Sequence, residues 1–272
     1  MAIQKFFNRS IFHLLALAFL ITACSNPSYK DDREWILIWQ DEFTGAAGDR
    51  PDSLKWTYDI GTNWGNAQLE YDTDRTENVS LDGEGNLAIV ARKESYLGSA
   101  YTSARIVTRG LFEPTYGRFE ARIKLPWGQG IWPAFWLLGA DIDSVGWPQC
   151  GEIDIMEYRG QEPSIIHGTT HGPVYYGNNG ITMSYELFNS RFDLDFHLFA
   201  IEWGPDYIDW YVDDVFYHSV TPVDLTGEWV FDHPFYIILN LAVGGNYVGP
   251  PNQNTVFPQS MLVDYVRVYE EK

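Results

Sequence analysis

The chain has 272 residues, of which 45% are hydrophobic, 16% aromatic and 20% charged. That length and apolar content supply one large core and exclude a disordered protein. Asp and Glu number 37 against 18 Lys and Arg, a formal net charge of -19. That balance argues against nucleic acid and other polyanions as partners, because no surplus of cations exists to neutralise phosphates. The 11 Trp, 17 Tyr and 16 Phe fit either a sheet-rich core or a surface on which sugar rings stack.

Residues 1–23 read as a leader and not as part of the fold. Lys5 and Arg9 come first with no acid, followed by the apolar run from Ile11 to Ile21, which is too short for a comfortable membrane span. Leu20, Ile21, Thr22, Ala23 and Cys24 resemble the lipobox of bacterial lipoproteins, whose cysteine is lipidated after cleavage. The expectation is a lipoprotein signal peptide over 1–23, then a lipidated Cys24 and polar tether over 24–34. The protein would be lipid-anchored in the cell envelope, at the outer membrane or cell surface. An ordinary signal peptide with an incidental Cys24 is the alternative. Losing the leader leaves 249 residues with 16 basic against 37 acidic side chains. Cys24 and Cys150 are the two cysteines, so lipidation of the first leaves Cys150 a free, buried thiol. Stability then comes from a core, which a chain of this length can supply.

From Trp35 onward no second linker or repeat interrupts the chain, and 35–272 reads as one domain. Tyr116 to Leu125 alternates large apolar with charged residues, the period of a half-buried strand. Asn86 to Lys93, Phe196 to Trp203, Tyr207 to Val212, Val215 to Ser219, Phe235 to Val243 and Leu262 to Tyr269 are further strands. Gly204, Pro205 and Asp206, and then Asp213 with Asp214, supply tight turns. No apolar stripe lasts three helical turns. Many short strands in one block predict an all-β antiparallel sandwich or barrel.

The chemistry sits at Gly151 to Glu157. Glu152 and Asp154 are two apart and share a strand face, while Ile153 and Ile155 point to the other. Glu157 falls on the wrong face of a regular strand, and a β-bulge near Ile155 and Met156 returns it to the acids. Three carboxylates in one row are costly unless the face is wet or functional. With the bulge, the outer glutamates sit about four strand steps, roughly 13 Å, apart along the backbone. Inward-leaning side chains then reach the carboxyl spacing of about 5–5.5 Å used by retaining glycosidases, and the wider inverting spacing is also within reach. A solvated acidic strand face is the bland alternative.

The neighbours add weight. Trp132 and Trp136 lie four apart on one strand face just before the acids, and an exposed aromatic stripe would be a sugar platform; both rings in the core is the competing reading. Asn66, within Trp64 to Tyr71, and His171, within Thr169 to Gly172, add neutral hydrogen-bonding groups suited to hydroxyls. His167 and His171 have a spacing that a metal pair can use, without a third ligand nearby in sequence.

Gly151 to Glu157 is similar to the signature of glycoside hydrolase family 16 in its bulged form. Trp35 to Phe43, Tyr116 to Arg122, Trp132 to Trp136, Phe199 to Trp203 and Asp264 to Tyr269 fit the family too, so the resemblance spans Trp35 to Tyr269. Within it the chain looks like a laminarinase, an endo-1,3-β-glucanase. The resemblance implies a concanavalin-like jelly-roll β-sandwich of two curved antiparallel sheets. It also implies a retaining mechanism, with Glu152 as nucleophile, Glu157 as acid and base and Asp154 tuning Glu152. Asn66, Trp132, Trp136 and His171 match positions that line the donor-side sugar sites. Asn246 lies in a loop resembling the cleft-edge loop of laminarinases, where Tyr247 stands in place of a common Trp. No cofactor is implied for catalysis, and a structural Ca²⁺ is implied near Glu42, Gly85 and Asp264. The expected partner is a β-glucan polysaccharide bound by a monomer. The same fold cleaving mixed-linkage glucan or a marine galactan such as agar or carrageenan, and a non-catalytic glycan-binding lectin, are the alternatives.

Overall fold

In the computed structural model, residues 33–272 are described, so the leader, Cys24 and nearly all of the tether lie outside the described residues. Glu34–Lys272 form one unit. Its strands begin with β1 (Trp35–Asp41), β2 (Thr57–Tyr58), β3 (Glu70–Asp72), β4 (Val79–Leu81), β5 (Leu87–Ala91) and β6 (Tyr101–Ser103). There follow β7 (Arg105–Val107), β8 (Gly117–Lys124), β9 (Ile131–Gly139), β10 (Glu152–Tyr158), β11 (Ile165–His171) and β12 (Ile181–Glu186). The last are β13 (His197–Gly204), β14 (Tyr207–Val212), β15 (Val215–Val220), β16 (Phe235–Val243) and β17 (Gln259–Glu271). Among the described residues a single short α-helix, α1 (Ile142–Val145), lies between β9 and β10.

Two antiparallel sheets result, the layers of a jelly-roll sandwich. One follows the order β15-β14-β13-β8-β17-β5-β4, with β1 also on β17. The other follows β12-β11-β10-β9-β16-β7-β2, and β3 with β6 forms a separate parallel pair. β17 occupies the middle of the first sheet. It pairs with β8 along one edge, and along the other with β5 through its first half and β1 through its second.

Strand alternation positions the core. Phe119, Ala121 and Ile123 of β8 are fully buried, while Arg118 and Arg122 face outward. Phe199, Ile201 and Trp203 of β13 join them, and Phe135, Leu137, Ile153 and Ile166 meet them from the opposing sheet. All nine residues of β16, eight of them apolar or aromatic, are buried, as in a strand covered on both faces. The two layers are also joined by a polar link, because the fully buried Trp210 on β14 donates its indole N–H to the Asp154 carbonyl on β10 at 2.9 Å. Cys150 is buried and unpaired, and burial pushes its thiol up to about 12, so it packs as a small hydrophobe.

Candidate active site

The row of carboxylates is built by a bulge in β10. Against β9, Asp154 pairs with Trp136, Met156 with Phe135 and Glu157 with Ala134. Ile155 is therefore the extra residue, and Ile155 and Met156 both go to the core. Glu152, Asp154 and Glu157 emerge on the other face, the arrangement that a two-for-one count produces. Gly151, just before the strand, has φ +71, a backbone conformation that favours glycine. A Cβ there would lie 2.9 Å from the Phe235 ring.

Each outer glutamate is held by an indole. Trp132 Nε1 donates to Glu157 Oε1 at 3.1 Å, and Trp147 Nε1 donates to Glu152 Oε2 at 2.7 Å. Asp154 lies between them, 2% exposed. On the neighbouring β11, His171 stands opposite Glu152 and His167 opposite Glu157. His171 Nε2 is 3.4 Å from Asp154 Oδ2 and 3.9 Å from Glu152 Oε1.

Crowding disfavours a fully ionised row. Glu152 is pushed up to about 8, first by burial and then by the charge of Asp154. His171, the Trp147 hydrogen bond and Arg105 pull it back. Asp154 is pushed up to about 8 by burial, opposed by its hydrogen-bonded contact with Glu152. Glu157 is pushed well above the usual carboxylate range by burial, then by the charge of Asp154. Carboxyls this close do not all ionise together, so the row can hold a carboxyl acid beside a carboxylate, the division of labour that general acid and nucleophile require.

The flanking residues differ in part from the sequence expectation. Trp132 is 7% exposed, lies 5.0 Å from Tyr247 ring to ring, and holds Glu157. Of the two tryptophans expected as a stripe, Trp132 is thus nearly enclosed and Trp136 is half-buried. Its indole N–H is bound to Asn240 Oδ1 at 2.7 Å. The Arg105 guanidinium lies 4.8 Å from the Trp136 ring and 5.0 Å from Trp64, fixed by Asp59 at 2.8 Å. Asn66 and Asn246 are both exposed, and the backbone N–H of Asn246 donates to the Asn66 carbonyl at 2.8 Å. The His167–His171 pair does not form, because His167 bonds Ser184 at 2.9 Å and faces Glu162, while His171 faces the acids.

The calcium candidates need a correction as well. Both carboxylate oxygens of Glu42 are taken by Arg267, at 2.7 and 2.9 Å, and Asp264 accepts from Arg122 at 2.6 Å. Gly85 lies in a turn whose amides at Glu84 and Asn86 are capped by Asp82. Guanidinium groups already neutralise both acids, so these side chains do not fit a divalent cation.

Sequence reasoning missed Trp147, Arg105 and Asn240. A tryptophan five residues before an acidic row, set between the turn-forming Gly146 and Pro148, was the available cue for Trp147. The partners of Arg105 and Asn240 come from distant strands and carried no local signal.

Residues 58–267 match the family described as glycosyl hydrolases family 16. The chain is 43% identical over 283 residues to the beta-glucanase of Rhodothermus marinus, covering 99% of this chain and 96% of that one. Among solved structures it is similar to the endo-beta-1,3-glucanase from Pyrococcus furiosus, with 50% identity and a TM-score of 0.84 over 89% of this chain and 97% of that one. The laminarinase catalytic domain from Thermotoga maritima MSB8 matches at 47% identity and a TM-score of 0.83, over 88% of this chain and 99% of that one.

Proposed function

Because the chain belongs to glycosyl hydrolases family 16, we propose that it is a retaining endo-β-glucanase that hydrolyses 1,3-β-glucan of the laminarin type. The observation that carries the reading is the bulged β10, with Glu152, Asp154 and Glu157 on one face and an indole N–H on each outer carboxylate. The substrate follows from what the relatives are: a beta-glucanase, an endo-beta-1,3-glucanase and a laminarinase.

In the first step a Glu152 oxygen bonds to the anomeric carbon as the glycosidic C–O bond breaks, and Glu157 gives its proton to the leaving oxygen. In the second, Glu157 takes a proton from water, whose oxygen attacks the same carbon and frees Glu152. Asp154 lies between the two and biases where the shared protons sit, keeping Glu152 ionised while Glu157 stays protonated. Asn66, Trp136, His171 and Asn246 bind the sugars flanking the scissile bond. No cofactor takes part. The protein acts as a monomer, held in the cell envelope through a lipidated Cys24.

Incubation with laminarin, lichenan, agarose and carrageenan, reading new reducing ends, tests the substrate. The expected result is cleavage of laminarin in mid-chain, with a first-formed product of β-anomeric configuration by NMR. Cleavage of an algal galactan with laminarin left intact would overturn the substrate assignment. Binding without cleavage of any glycan would overturn the catalytic one, and an α-anomer would overturn retention.

A further inference from the structure

We propose that Glu152, Asp154 and His171 form a site for one Zn²⁺ ion, which blocks the hydrolase reversibly. Binding depends on the three side chains alone. The inhibitory consequence rests on the function proposed above, in which Glu152 must be free to attack.

One ligand atom from each residue lies within 4.8 Å of the other two. Two ligands bonded at about 2.0–2.1 Å to a tetrahedral Zn²⁺ sit about 3.4 Å apart. His171 Nε2 and Asp154 Oδ2 already have that separation at 3.4 Å, and Glu152 Oε1, 3.9 Å from the same nitrogen, needs only a small side-chain adjustment. The atoms project from adjacent strands, with Glu152 and His171 directly paired, so the backbone holds the cup in place before an ion arrives.

Three further observations point to a ligand. Asp154 is 2% exposed, yet its Oδ2 accepts no hydrogen bond, a costly state for a buried carboxylate oxygen that a cation relieves. Trp147 occupies Glu152 Oε2, so Oε1 is the oxygen turned toward His171. The far edge of the imidazole is closed off: a Cβ on Gly180 would lie 2.6 Å from His171 Nδ1. Nε2 is left as the ligating nitrogen.

One imidazole and two carboxylates is a mixed nitrogen and oxygen set suited to zinc, and three protein ligands leave a fourth position for water. Calcium, which takes 6–8 oxygen ligands, is poorly served by three donors that include a nitrogen. A bound ion ties up the Glu152 oxygen that would attack the sugar and stands where the reacting ring must enter. Inhibition is therefore relieved by glycan and by chelator.

The test is calorimetric titration of ZnCl₂ into the chelator-stripped full chain near neutral pH. It is run in parallel on His171→Asn, Asp154→Asn and His167→Gln, with circular dichroism to verify folding. The expected result is one Zn²⁺ per chain, weakened about tenfold or more in the first two variants and unchanged in the third. Laminarin hydrolysis should fall with added Zn²⁺ through a raised apparent KM and recover with EDTA. Absence of zinc binding by the parent chain, or parental affinity in both His171→Asn and Asp154→Asn, overturns the site. Zinc binding as described in a chain that cleaves no glucan instead overturns the glucanase reading and leaves the site standing.

Discussion

Replacing Trp147 with phenylalanine keeps an aromatic ring beside the acids and removes the N–H that reaches Glu152 Oε2 at 2.7 Å. Hydrogen bonds to charged groups contribute about 1.5–3 kcal/mol. Trp147 is 44% exposed, so water takes over part of the bond and the lower figure, about 1.5 kcal/mol, applies; this equals roughly one pKa unit. The bond favours the carboxylate over the acid, so its loss raises the Glu152 pKa. Attack needs the ionised form, and the acidic limb of the kcat/KM profile therefore moves up by about one pH unit. The alkaline limb reports loss of the Glu157 proton and stays in place. Trp132→Phe is the reciprocal case: it removes the N–H on Glu157 Oε1 and moves the alkaline limb upward while leaving the acidic one. Initial rates of reducing-end release from laminarin at low substrate, measured across pH for both variants, read out the two limbs. An unmoved acidic limb in Trp147→Phe, or a shift of its alkaline limb instead, would refute the assignment of Glu152 as nucleophile.

Asp154→Asn separates activity from stability. The Asp154 carboxyl, pushed up to about 8 by burial, is bound to its proton more tightly in the folded than in the unfolded chain. Its contribution to stability is complete below the unfolded carboxylate range and is lost as pH rises through about 8. The amide copies the neutral form, so calorimetry should show the variant melting above the parent in mild alkali, by an amount equivalent to roughly a few kcal/mol, and level with it near pH ~4. A parent that melts higher in alkali would contradict this. Trp210→Phe leaves the buried Asp154 carbonyl without its donor and should cost about 1–3 kcal/mol in denaturant titrations; it should also lower kcat by loosening the bulge, and an active, equally stable variant would remove that link. For the anchor, Cys24→Ser should move the protein from the membrane to the soluble fraction on cell fractionation, and unchanged membrane association would count against lipidation.

The sheet strands were legible where one face meets water. Residues 117–124 alternate because Phe119, Ala121 and Ile123 are inside and Arg118 and Arg122 are not. The bulge could be read from counting, since only an extra residue brings Glu157 to the face of Glu152. Pairings across long sequence gaps could not be read. Arg122 reaches Asp264, and Arg267 reaches Glu42, so two acids that looked available for a cation were already committed. Trp132 and Trp147 show the same limit from the other side. A tryptophan's sequence position does not reveal whether its face or its N–H is the working part, and here the N–H groups turn toward Glu157 and Glu152.

The central place of β17 governs when the protein can become itself. Trp35 pairs with Glu271, and Leu87 with Val263, so strands made early wait for a partner made late. Until Gln259–Glu271 exists, β8 has one bare edge, and β1, β4 and β5 cannot join its sheet. Such long-range closure makes folding slow and leaves apolar strand edges open to wrong partners in the meantime. It also means that the growing chain cannot complete the sandwich before Gln259–Glu271 has been made. Removal of β17 would split that layer, parting β15-β14-β13-β8 from β5-β4 and from β1, although the acidic row itself sits on the other.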